Sequence, residues 1–211
     1  MNCSLIITTY NWKSALELVI LSVFNQTYLP VEIIIADDGS RNDTRDLIKN
    51  LSSKSPIPLI HSWQEDKGFR AAKVRNKAIA QAIGNYIIVI DGDMILHKDF
   101  VLDHYYFARR GYFVQGIRAK LNSQKAKEVF EKKQHIFKAF EKGIKNKRNS
   151  IRSSLLSYLF SGTRLFKRLD MIQTCNMAFF KNDCIRVNGF NEDFIGWGRE
   201  DSEFASKLLN L

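Results

Sequence analysis

Proline and cysteine are both scarce in this chain, with three of each in 211 residues. So little proline, beside fifteen Phe and 45% hydrophobic residues, excludes a disordered Pro-rich chain and implies a buried core. The cysteines, Cys3, Cys175 and Cys184, are odd in number and lack metal-ligand spacing. They exclude a disulfide scaffold and read as free thiols of a reducing compartment. No run approaches the ~18–20 apolar residues that a membrane-crossing helix needs, so no transmembrane span is expected. The opening MNCSLIITTYNW has neither a basic stretch nor a small-residue cleavage site. No secretory signal is therefore expected, and the reading is a cytoplasmic protein. Its length suits a single α/β domain.

Several motifs are missing as well. No Gly-x-Gly-x-x-Gly follows the first apolar run, and no Gly-Lys-Ser/Thr occurs anywhere, which disfavours a dinucleotide-binding dehydrogenase or a P-loop NTPase. The absence of Gly-x-Ser-x-Gly counts against an α/β-hydrolase. No His/Cys cluster competes as a zinc site.

Net charge is +10, and one segment supplies all of it. Residues 118–168 hold fifteen Lys/Arg against three Glu, leaving seventeen Lys/Arg and nineteen acids elsewhere. Such asymmetry fits an appended surface element rather than a globally basic nucleic-acid binder, so no nucleic-acid partner is expected. Val129, Ile136, Phe137, Phe140 and Ile144 recur at roughly helical spacing between the lysines. The expected element is a basic amphipathic helix. Either it lies on an anionic membrane, at the inner face of the cytoplasmic membrane, or its apolar stripe packs on its own domain.

Elsewhere strands and helices alternate. Strands are expected at 5–9, 31–36, 59–63 and 86–90, and helices at 14–24, 43–51 and 71–83, the last ended by Gly84. Continuous apolar strands in this alternation predict an open, mostly parallel α/β sheet flanked by helices. Residues 172–180 resume the pattern as a strand, and a last helix is expected from Glu200 to the end of the chain. The implied organisation is one domain. Its parts are a ligand-binding half at 1–117, a basic helical insertion at 118–170, and a second-substrate region at 171–211.

Ligands in open α/β sheets bind outside the carboxyl ends of the strands. Three polar clusters fall at such ends: Thr8-Thr9-Tyr10-Asn11, Asp37-Asp38-Gly39-Ser40 and Asp91-Gly92-Asp93. Asp91 and Asp93 offer hard oxygens to Mg²⁺ or Mn²⁺, ions that take part of their shell from substrate phosphates. Strand alternation predicts that both carboxylates point the same way. Arg70 and Arg75 are candidate phosphate partners. Near the end, Gly196-Trp197-Gly198 reads as a mobile loop with one aromatic face, followed by the acidic pair Glu200-Asp201. That pair reads equally as helix capping.

The stretches SLIITTYNW, VEIIIADDGSRNDT, EDKGFRAAKVRNKAI, NYIIVIDGDMILHKDF and NMAFFKNDCIRVNGFNEDFIGWGREDSEF together resemble the family 2 glycosyltransferases. The last is similar to the galactosyltransferase-like region of chondroitin-synthase-type, capsule and lipooligosaccharide transferases. The resemblance implies a GT-A fold, a UDP-sugar donor and a glycan or glycolipid acceptor. It places Thr8, Tyr10, Asn11, Asp37, Asp38, Lys67 and Arg75 on the nucleotide side, and Asp91 and Asp93 at the metal, with Asp93 the direct ligand. Trp197, Gly198 and Glu200 would hold the acceptor, and Asp201 would act as the base. Family members usually continue past this helix and often add a metal-binding His. The four His here, His61, His97, His104 and His135, all precede it. Either the chain is truncated or water completes the metal shell. Two other readings stay open: a nucleotidyltransferase, which would want a Gly-rich basic loop after the first strand, and a non-catalytic binder with a basic arm.

Overall fold

The structure is a computed structural model that describes residues 1–160, 172–196 and 198–211. Its first part alternates as the sequence predicts: β1 (Cys3–Thr9), α1 (Lys13–Phe24), β2 (Glu32–Asp37), α2 (Asn42–Ser52), β3 (Leu59–Trp63), α3 (Ala71–Gln81) and β4 (Tyr86–Asp91). Then come α4 (Phe100–Phe107), β5 (Val114–Gln115), β6 (Lys120–Leu121), α5 (Ser123–Lys132), β7 (Ile144–Lys145), a 3₁₀ turn (Lys147–Ser150) and α6 (Ser154–Phe160). The chain closes with β8 (Asn176–Phe180), α7 (Lys181–Arg186) and α8 (Glu200–Leu209).

Six strands form one sheet in the order β3-β2-β1-β4-β8-β5. β1 to β4 pair in parallel, whereas β8 runs antiparallel to both β4 and β5. Helices cover both faces, which explains why the central strands are apolar throughout rather than alternating. Leu5, Ile7, Ile33, Ile35, Ile88 and Ile90 pack on one face with Leu16, Val19 and Ile20 of α1. Ile6, Ile34, Ile87 and Val89 pack on the other with Val74 and Ala78 of α3, Phe190, and Phe204 of α8. The strand order turns back between β1 and β4, so the carboxyl ends of these two strands frame a crevice.

Several boundaries differ from expectation. Helix α3 stops at Gln81, and Gly84 does a different job from ending it. A Cβ on Gly84 would lie 2.6 Å from the Ser4 backbone nitrogen, so close approach to β1 requires glycine there. The expected strand at 172–180 is shorter, because 172–175 form a loop and turn ahead of β8. Helix α8 ends at Leu209. The largest correction concerns the basic segment, whose apolar positions do not share one helix. Helix α5 ends at Lys132, and the next residue, Lys133, adopts a left-handed φ of 50°. Ile136, Phe137 and Phe140 follow in irregular chain, and Ile144 lies in β7, paired with β6. Gly143, at φ 92°, and Asn146, at φ 53°, make left-handed turns that one continuous helix could not contain. Helices α4 and α7 were not expected. Both are short, and the aromatic-rich α4 (FVLDHYYF) has little helical periodicity to read.

Candidate active site

Strand register assembles the site. Thr8 at the end of β1 is opposite Asp91 on β4, and Thr9 is opposite Asp37 on β2. The three polar clusters therefore stand on one rim. Thr8 Oγ1 donates to Asp91 Oδ1 at 3.2 Å. Strand β4 ends at Asp91, and a turn follows in which the Met94 amide donates to the Asp91 carbonyl. The alternation predicted for Asp91 and Asp93 does not extend that far, since period-2 geometry holds only within a strand. Asp91 is partly buried, whereas Asp93 is exposed and has no hydrogen-bond partner among the described residues. Burial raises the Asp91 carboxyl above its ordinary range; Arg75 opposes the rise, and the charges of Asp93 and Asp201 add to it. These groups share one electrostatic neighbourhood.

On the β2 side the carboxylates shape the turn. Asp37 is wholly buried, with Oδ1 accepting from the Ser40 amide and Oδ2 lying 2.8 Å from His61 Nε2. Asp38 accepts from the side-chain amide of Gln64 and, at 2.7 Å, from the Arg70 amide. Gly39, at φ 98°, permits the turn, and a Cβ there would meet the Asp66 backbone. Asn11, also left-handed at φ 47°, donates its amide to Ser40 Oγ and accepts from the Arg41 amide. Tyr10 is half exposed and donates to Asp66 Oδ2. Lys67 is solvent-exposed and paired with Glu65. Trp63, which the sequence reading did not single out, stands in register with Asp37 and is half exposed on the same rim.

Asp201, one of the acidic pair at the start of α8, lies within electrostatic reach of Asp91 on the rim. Arg75 Nη1 lies 3.0 Å from Asp201 Oδ1 and 3.3 Å from Glu200 Oε1. Thr174 supplies two more donors to Asp201, its hydroxyl at 2.7 Å and its amide at 2.9 Å. Neither carboxylate caps its own helix, so the capping reading does not describe the contacts made. Their place in the first turn still sets them in the favourable field of the helix N-terminus. Asp201 keeps 21% of its side chain in solvent and Glu200 only 6%, and Glu200 Oε2 has no hydrogen-bond partner among the described residues. Gly196 and Gly198 adopt φ of 94° and 104°, so the segment before α8 depends on glycine. Trp197 lies outside the described residues.

Two more side chains escaped the sequence reading because their roles need the tertiary fold. Arg118, between β5 and β6, brings Nη1 to 4.0 Å from Asp91 Oδ2. Thr174 holds Asp201. A cavity of about 1450 Å³ opens beside the rim, with Asp93 and Arg118 in its wall. Asp91 and Asp93 are the residues suited to a divalent cation. Among the described residues no group of three or more His, Cys, Asp and Glu could hold a metal. Two hard carboxylates, one of them unpartnered, fit an ion such as Mg²⁺ or Mn²⁺ whose remaining ligands come from a diphosphate and water. They would not make a closed structural zinc site.

The description "Glycosyl transferase family 2" matches residues 4–181, and "N-terminal domain of galactosyltransferase" matches residues 159–211. The chain is similar to the chondroitin synthase of Pasteurella multocida, 27% identical over 98% of this chain and 23% of that protein. It is equally similar to the chondroitin synthase of Escherichia coli, 27% identical over 97% of this chain and 32% of that protein. The chain thus spans only 23% and 32% of the length of these relatives. Among solved structures, S. aureus TarS in complex with UDP aligns with a TM-score of 0.66 at 19% identity, over 99% of this chain and 55% of that one. The mannosyltransferase PcManGT from Pyrobaculum calidifontis, in complex with GDP-Man and Mn²⁺, aligns at 0.64 and 18% identity, over 98% of this chain and 51% of that one. At such identities the likeness is one of fold, and the fold is GT-A.

Proposed function

The chain belongs to glycosyltransferase family 2, and from that premise we propose that it transfers a sugar from a UDP-sugar to a glycan hydroxyl with inversion. The sugar is a hexose or N-acetylhexosamine, and the acceptor is a growing surface glycan such as a capsule or lipooligosaccharide chain. One observation supports the reading: Asp91, at the turning point of the sheet, feels the charges of Asp93, which has no hydrogen-bond partner among the described residues, and of Asp201, one of the acidic pair held by Arg75. The parts that a single displacement requires therefore lie within electrostatic reach of one another.

A sugar hydroxyl is a weak nucleophile near neutral pH, so a positioned carboxylate must take its proton as the new bond forms. Asp201 suits that task because it is the more accessible of the pair and its orientation is held by Thr174 and Arg75. Glu200 is deeper and balances the Arg75 charge, which makes it a positioning residue. Asp91 and Asp93 would hold the divalent cation. When bound, that ion supplies charge stabilisation to the departing diphosphate. Attack opposite the leaving group converts an α-linked donor into a β-linked product.

The test is UDP release from a panel of UDP-sugars, with and without Mn²⁺, on wild type and Asp93→Ala. We expect turnover to need the metal and to disappear in Asp93→Ala, with melting temperature unchanged because that carboxylate is exposed and unpartnered. Near-normal turnover in Asp93→Ala, or in EDTA, would overturn the metal assignment.

A further inference from the structure

Residues 118–160 carry twelve Lys/Arg and three Glu. Some of these cations are tied inward: Lys125 to Glu128 and Glu141, Lys133 to Glu17, and Arg152 to Asp99 and Asp103. Others are not. Lys138, Lys142, Lys145, Lys147 and Arg148 are exposed and form no ion pair among the described residues.

Phe140 stands among them. Its φ of 62° is left-handed, a conformation in which a bulky side chain is rare and calls for an explanation. The turn sends Phe137 and Phe140 to different environments. Phe137 is half-buried in the cavity wall, 5.9 Å below the Lys125 ammonium, whereas Phe140 is 54% exposed. The Phe140 amide donates to Ser150 Oγ at 3.5 Å, which ties its backbone to the residue before Ile151. Ile136 and Ile151 both line the same cavity, and Leu155 follows on α6. Ile136 and Leu155 are 64% and 67% exposed, so this stretch of chain presents exposed apolar side chains among cations that form no ion pair among the described residues.

We propose that this loop docks the protein on an anionic phospholipid surface. Phe140, Ile136, Ile151 and Leu155 enter the boundary between headgroups and acyl chains, while the surrounding Lys and Arg face lipid phosphates. Charge complementarity identifies the partner, and the aliphatic members favour a bilayer over RNA. A single-stranded nucleic acid is bound by aromatic platforms in a basic groove and has no use for exposed Ile and Leu. The inference needs no assumption about the reaction.

Co-sedimentation of the full chain tests it, with phosphatidylcholine vesicles and with vesicles that also contain phosphatidylglycerol. We expect binding to the anionic vesicles, weakening as salt rises past ~0.1 M. Phe140→Glu should lower partitioning strongly, and Lys142→Glu by about fivefold or more. Phe140→Trp should retain it, because Trp suits the interface. Unchanged melting temperatures would show that the variants fold. If Phe140→Glu unfolds, Lys142→Glu and Phe140→Trp still decide. Equal binding to neutral and anionic vesicles, or undiminished binding of Lys142→Glu, would overturn the proposal. So would preferential capture by poly(U) RNA over the anionic vesicles.

Discussion

Arg75 and Asp201 are 126 residues apart in the chain, yet Nη1 of one lies 3.0 Å from Oδ1 of the other. The same guanidinium reaches Glu200, so one buried cation serves two carboxylates and cannot neutralise both. The guanidinium also lies over the Phe190 ring, its carbon 5.5 Å from the ring centroid. The result is a carboxylate pair of fixed geometry at the start of α8. It resists rearrangement, because removing Arg75 would leave the buried Glu200 without its partner.

For Asp201→Asn we expect near-native melting and donor affinity, with turnover reduced by at least ~10²-fold, the usual scale of general-base loss. Asn keeps the size of the side chain and an acceptor oxygen for one of the two Thr174 donors, but it cannot take a proton. Parallel assays of Glu200→Gln separate the two roles. Normal turnover in Asp201→Asn together with its loss in Glu200→Gln would exchange the assignments.

Arg118 faces Asp91 across 4.0 Å, too far for a strong pair, and sits where a diphosphate held at Asp91 and Asp93 would be within reach. Arg118→Met should therefore weaken UDP binding by ~10-fold or more, the loss of one charge-assisted contact. Uridine, which lacks the phosphates, should bind both proteins alike. Calorimetric titration of the two ligands distinguishes them, and an equal loss for uridine would mean that Arg118 only shapes the loop.

His104 provides a pH dependence unconnected with turnover. Burial pushes its pKa down to about 4, although the hydrogen bond between Nε2 and Asn176 Oδ1 offsets part of that effect. The folded value lies below the unfolded one of about 6.5, so the unfolded chain binds the extra proton first. Stability from the neutral imidazole is full above pH ~6.5 and is lost as pH falls towards ~4, a change of about 3 kcal/mol at most. Melting curves of wild type and His104→Gln should converge over that interval as pH falls. Curves that stay parallel would contradict the assignment.

The sequence by itself determined the strands β1, β2 and β4, because Leu5–Ile7, Ile33–Ala36 and Ile87–Ile90 are apolar runs that only a sheet covered on both faces can bury. It also determined that three polar clusters share a rim, since each directly follows such a strand. Tertiary structure alone decided how those clusters are used. Asp37 and Asp38 turn inward to Ser40, His61, Gln64 and Arg70, while Asp93 has no hydrogen-bond partner among the described residues, a division no spacing rule contains. Likewise Arg75 reads as a phosphate partner from its place on a helix, whereas packing aims it at Glu200 and Asp201. The apolar positions of the basic segment suggest one helix, but left-handed turns at Lys133, Phe140, Gly143 and Asn146 break it. Local pattern reports which residues must be buried. Which charge meets which is set by contacts between distant parts of the chain, and those exist only once the sheet and its flanking helices have closed.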